Sequence, residues 1–189
     1  SKGTGIGQLI TSYTDQYQTL SEQLFADSSK LYPQMDMKPE EIKKVGSFLA
    51  MIFPGVLINS YLTMVWINIL LIKRLLKNRG MAVQSLENLN QWKAPFVLIF
   101  GVIAFSIALF IVSGPLKFIA INSLAILMFV YFFQGIAVVS YFFQKKKAPL
   151  ALRIFIYLLI AMQPLFLVLV IGFGLFDTWA NFRKLDLTA

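Results

Sequence analysis

Residues 48–72 read FLAMIFPGVLINSYLTMVWINILLI, 25 residues without a charge. An α-helix needs about 20 apolar residues to cross a hydrocarbon core of about 30 Å. In lipid each backbone N–H and C=O must find its partner within the segment or on a paired strand. A run that is apolar on every face therefore reads as a spanning helix. Three more uncharged runs follow, at residues 94–116, 118–144 and 154–176, with 23, 27 and 23 residues. Each is long enough to span. The expected fold class is all-α: a multi-pass transmembrane helical bundle of four spanning helices, preceded by an amphipathic N-terminal helix.

Charge sets the expected orientation. The net charge is +8, and two loops carry all of it. The first holds Lys73, Arg74, Lys77, Arg79 and Lys93 against Glu87; the second holds Lys145, Lys146, Lys147 and Arg153. Such clustering is positive-inside bias rather than a nucleic-acid stripe, whose base-stacking aromatics these loops lack. Loops 73–93 and 145–153 are expected on the cytoplasmic side of a bacterial inner membrane, with both ends of the chain outside. Lys145, Lys146 and Lys147 read as a topology anchor, with anionic-lipid binding as the alternative. The chain has no Cys and no His. Disulfides, thiolate nucleophiles and His-based metal sites or triads are therefore absent from it.

Residues 1–39 are expected to form an amphipathic extramembrane segment, and residues 40–189 the membrane domain. Ile10, Tyr13, Tyr17, Leu20 and Leu24 recur at spacings of three and four. They mark a helix that packs on its own membrane domain, lies at the lipid interface or binds a partner. Pro39 with Glu40 and Glu41 is a helix start, since the positive end of a helix favours acidic residues. Pro54, inside the first run, predicts a bend, because it cannot donate to the Ala50 carbonyl. Trp92 suits the headgroup level. Ser113-Gly114-Pro115 predicts a tight turn between the second and third runs.

None of the four runs contains Asp, Glu, Lys or Arg. Ion-coupled transporters and intramembrane acid–base hydrolases usually place such a group at mid-membrane. What remains is amide and hydroxyl chemistry. The candidate ligand-binding residues are Asn59, Asn68, Asn122, Tyr131, Gln134 and Gln163. The alternative is that they hydrogen-bond from helix to helix, at roughly 0.6–2 kcal/mol each. Asp177, Trp179 and Arg183 follow the last run. On one straight helix Asp177 and Arg183 would face different ways, so Asp177 is expected to cap or pair with another segment, such as the amphipathic helix of residues 6–32, rather than with Arg183; the alternative is a solvated tail.

Several segments together carry a resemblance. They are Phe53-Pro54-Gly55 with Asn68 downstream, and Leu89-Asn90-Gln91-Trp92-Lys93-Ala94-Pro95. Asn122 then leads to Tyr131-Phe132-Phe133-Gln134-Gly135 and on to Ser140-Tyr141-Phe142. Last comes Gly174-Leu175-Phe176-Asp177-Thr178-Trp179, with Arg183 after it. Over residues 40–185 the chain resembles the YybS-like family of uncharacterised bacterial inner-membrane proteins. That family is distantly similar to the substrate-capturing membrane subunits of energy-coupling-factor vitamin transporters. The resemblance implies further spans before this region. It also implies motif positions of unknown role at Asn122, Gln134, Gly135, Asp177, Trp179 and Arg183, and it offers no catalytic residue. The expected function is non-enzymatic capture of a small molecule by a transporter-like membrane subunit, without a cofactor. The alternative is a structural or accessory subunit packed against another membrane protein. The expected partners are the lipid bilayer, other membrane subunits and a small-molecule ligand, with no nucleic acid.

Overall fold

The computed structural model of the chain describes residues 5–31, 39–80 and 89–184. Among them the regular structure is helical and no strand occurs. In order they form α1 (Ile6–Leu31), α2 (Pro39–Asn78), a 3-10 turn (Leu89–Gln91), α3 (Leu98–Ile111), α4 (Pro115–Lys145), α5 (Leu150–Met162) and α6 (Pro164–Ala180). The chain divides into two compact units, Ser1–Ile58 with Phe105–Ala125, and Asn59–Ala104 with Ile126–Ala189.

Among the described residues two helices are long and apolar enough to cross a membrane. One is Lys44–Leu76 within α2, 33 residues at mean hydropathy 1.8, and the other is α4, 31 residues at 2.0. The expectation of four spans is corrected at the other two runs. The second run yields only α3, whose 14 residues rise about 21 Å, short of the hydrocarbon core. Residues 92–95, which would extend it, are not helical. The fourth run is broken into α5 and α6, bent by 105°. The pair is one broken span or a re-entrant loop, so the described residues hold two spans, or three if the pair counts as one.

The cause of that break is local. Pro164 opens α6, and Gln163 before it is extended at φ −116° and ψ 114°. Proline crowds the preceding residue out of the helical region and has no N–H of its own. Pro54 meets a different fate, because α2 runs through it without interruption. Here the amide of Asn122 stitches the backbone: Oδ1 accepts the Gly55 N–H at 2.6 Å, while Nδ2 donates to the Met51 carbonyl at 2.8 Å and to the Phe118 carbonyl at 2.8 Å. Met51 and Gly55 are the pair that an undisturbed helix joins directly. A Cβ on Gly55 would lie 2.8 Å from Asn122 Oδ1, so a larger residue here must displace that amide.

In the first unit, α1 meets the start of α4. The Tyr13 ring is edge-on to Phe118 at 6.0 Å, and Gly7 faces Pro115. Thr11, Thr14 and Thr19 donate back to carbonyls one turn earlier, which removes their hydroxyls from competition with the helix. Of the expected stripe, Ile10 and Tyr13 are half-buried and Leu20 is exposed; the side chains of Tyr17 and Leu24 lie outside the described residues.

Candidate functional site

The second unit is organised by a close crossing of α4 and α6. A Cβ on Gly135 would collide with the Val170 carbonyl, and one on Gly174 with the Tyr131 carbonyl. Two backbones can approach this closely only where side chains are absent. Gln134, beside the crossing, is fully buried. Its Oε1 accepts the Ala94 N–H at 3.1 Å and its Nε2 donates to Asp177 Oδ2 at 3.2 Å. One amide therefore joins α4, α6 and the irregular segment before α3.

Asp177 is fully buried, and its main partner is Arg183. Nη2 donates to Oδ2 at 2.6 Å and Nε donates to the same oxygen at 3.2 Å. The expectation that Asp177 would pair elsewhere is corrected in part, since it holds both Gln134 and Arg183. The six-residue spacing forbids the pair only if the helix continues. Instead α6 ends at Ala180, and Asn181 adopts the left-handed conformation at φ 43°, which Asn tolerates better than most residues. The turn folds Arg183 back into the unit, where it is 2% exposed. Its Nη1 donates to the carbonyls of Asn90 and Trp92 at 2.8 and 2.9 Å. Asp177 Oδ1 is buried without a partner. Tyr131, at the same crossing, is fully buried, and its hydroxyl faces Thr178 but closes no hydrogen bond of normal geometry.

Beside this network lies a cavity of about 460 Å³, within the range usual for small-molecule sites. Trp66 of α2, Phe132 and Phe133 of α4 and Tyr157 of α5 line it with aromatic surface. The Trp66 and Phe133 rings lie 5.0 Å apart. Polar groups enter from Lys73, Asn90, Ser140 and Gln144. Asn90 Nδ2 donates to Gln144 Oε1 at 2.8 Å, while the Asn90 carbonyl is held by Arg183. The buried ion pair thus anchors the 3-10 turn that forms one wall of the cavity. Among the described residues no group of three acidic side chains could hold a metal ion.

The six candidate residues are not gathered in one place. Tyr131 and Gln134 stand together on α4. Asn122 belongs to the other unit, where its amide is taken up by backbone groups. Asn68 is exposed and donates to the Met64 carbonyl at 2.8 Å. Asn59 is half-buried and its carbonyl accepts from Thr63. Gln163 is exposed at the α5–α6 break. None of the six lines the cavity. Among the motif positions, Gly135, Asp177 and Arg183 are buried and Trp179 is 55% exposed. The reading of single residues missed Trp66, Ser140 and Gln144. One signal for them was in the sequence, since Phe133, Ile136, Ser140 and Gln144 recur at spacings of three and four, on one face of a helix.

No curated protein and no solved structure matches this chain. The narrower YybS-like identification and the likeness to energy-coupling-factor subunits find no support there. A family model described as predicted membrane protein (DUF2232) matches residues 5–178, and the chain belongs to that family.

Proposed function

We propose that the protein is a non-enzymatic, transporter-like membrane subunit that captures a small amphipathic molecule. The observation that carries this reading is the 460 Å³ cavity of the second unit, aromatic along its body and polar at Asn90, Ser140, Gln144 and Lys73. Such a lining suits a ligand with a flat or branched apolar part and one hydrogen-bonding end. Tyr131 and Gln134 support the site from behind by fixing the α4–α6 crossing. In this reading the basic loops face the cytoplasm of a bacterial cell. The accessory-subunit alternative has the exposed apolar faces of α2 and α6 in its favour, but lipid covers such faces equally well.

The test is native mass spectrometry of the protein extracted from its own membranes. The wild type should retain a small molecule, and Ser140→Trp, which fills the cavity from a half-buried position, should lose it at an unchanged unfolding midpoint. Absence of any adduct in the wild type, or its survival in Ser140→Trp, would overturn the reading.

A further inference from the structure

The first unit carries a second concavity, unrelated to the cavity above, of about 700 Å³ between the starts of α2 and α4. Its rim is charged, with Glu40 and Lys44 one turn apart on α2 and Lys117 in the first turn of α4. Its floor is apolar, made by Phe48 and Met51 of α2 and Ile121 of α4. The order along the axis matters. Lys44 and Pro115 open the two long apolar helices. At 1.5 Å per residue, Met51 lies about 10 Å deeper than Lys44 along α2, and Ile121 about 6 Å deeper than Lys117 along α4. Charge lies at the water edge, and the apolar floor runs down into the hydrocarbon. Glu40, Lys44 and Lys117 are exposed, and the two carboxylate–lysine pairings open to Glu40 are not made among the described residues.

We propose that this groove binds one membrane phospholipid, of the phosphatidylethanolamine class. Its phosphodiester lies between Lys44 and Lys117, and one acyl chain lies along Phe48, Met51 and Ile121. Two ammonium groups on either side of a phosphate make charge-assisted hydrogen bonds at the depth where the headgroup already resides. Glu40 selects among headgroups. A primary ammonium donates to its carboxylate, a choline has no N–H to donate, and a glycerol headgroup brings no positive charge. A soluble phosphate would leave the apolar floor unused, so the ligand is a lipid rather than a free anion.

The experiment is native mass spectrometry of the full chain released from nanodiscs. The discs hold equal parts phosphatidylethanolamine, phosphatidylglycerol and phosphatidylcholine. The wild type should retain phosphatidylethanolamine at about tenfold over the other two. Lys44→Gln with Lys117→Gln should abolish that enrichment while helicity and unfolding midpoint hold. Glu40→Gln should keep a bound lipid but erase the preference for phosphatidylethanolamine. Added inorganic phosphate and glycerophosphoethanolamine should not displace the lipid. Equal retention in the lysine double variant overturns the site. A wild-type preference for phosphatidylglycerol overturns the headgroup assignment. Displacement by the soluble phosphates overturns the role of the apolar floor.

Discussion

Arg183 closes on Asp177 from six residues downstream, Nη2 to Oδ2 at 2.6 Å, with both side chains at 1% exposure or less. The pair exists because α6 stops at Ala180 and the chain reverses through Asn181. The guanidinium then donates from Nη1 to two carbonyls of the segment before α3. One ion pair ties the end of α6, the 3-10 turn with the residue after it and, through Gln134, the middle of α4.

Breaking the pair from either side should be costly. Asp177→Ala leaves a buried guanidinium without its anion, and Arg183→Ala leaves the reverse. Loss of one partner of a buried pair typically costs roughly 3–5 kcal/mol, whereas replacing both by apolar residues is far milder. Each single variant should lower the unfolding midpoint in detergent sharply, and Asp177→Leu with Arg183→Met should recover part of the loss. Single variants that unfold with the wild type would show that the pair contributes nothing.

Three glycines near the α4–α6 crossing should respond differently. Gly135→Ala and Gly174→Ala place a methyl group where the Val170 and Tyr131 carbonyls already are, so the helices must separate and the Gln134–Asp177 bond must lengthen. Gly172→Ala meets nothing within 4 Å and gains helix propensity, worth about 1 kcal/mol. Midpoints should fall steeply for the first two and hold or rise for the third. Equal behaviour of all three would refute the close crossing.

The same residue types carry different meanings at different places, which limits what the sequence discloses. The uncharged runs are legible because hydropathy alone specifies burial in lipid. Helix length and breakage are less so. Pro54 and Pro164 look alike in sequence, yet one lies in a continuous helix and the other ends one. The difference is the Asn122 amide, brought to α2 from 67 residues away, against an extended Gln163. The Asp177–Arg183 pair is hidden for a related reason. Its spacing excludes a bond on any helix, and only the left-handed Asn181 makes it possible. The cavity was partly legible, because its α4 wall follows helical spacing, but the roles of Trp66 and Asn90 depend on tertiary placement.

The Asn122 stitch should appear as coupling. Gly55→Ala should destabilise the wild type, because its Cβ meets Asn122 Oδ1. In an Asn122→Ala background the same change should be close to neutral, since Gly55 N–H can then return to the Met51 carbonyl. A coupling of roughly 0.5–3 kcal/mol is the range for residues in contact. The check is a double-mutant cycle on unfolding midpoints, with amide exchange at Gly55 as a local reading. Strict additivity would sink the interpretation.

The last prediction concerns the sidedness of the tail, which charge alone assigns to the face opposite the basic loops. Arg183 Nη1 is bonded to the carbonyl of Asn90, and Asn90 Nδ2 is bonded to Gln144, the residue before Lys145. Two hydrogen bonds of 2.8 Å and three side chains separate the end of α6 from the end of α4. A hydrocarbon core of about 30 Å does not fit into that distance. The bent pair α5–α6 is therefore expected to enter and return on one side, which would put the tail with the basic loops. The chain lacks cysteine, so Lys146→Cys and Lys184→Cys, both at exposed positions, can be labelled without background. A membrane-impermeant maleimide should modify both in inverted vesicles and neither in right-side-out vesicles. Labelling from opposite sides would make α5–α6 a broken span and restore the outward tail.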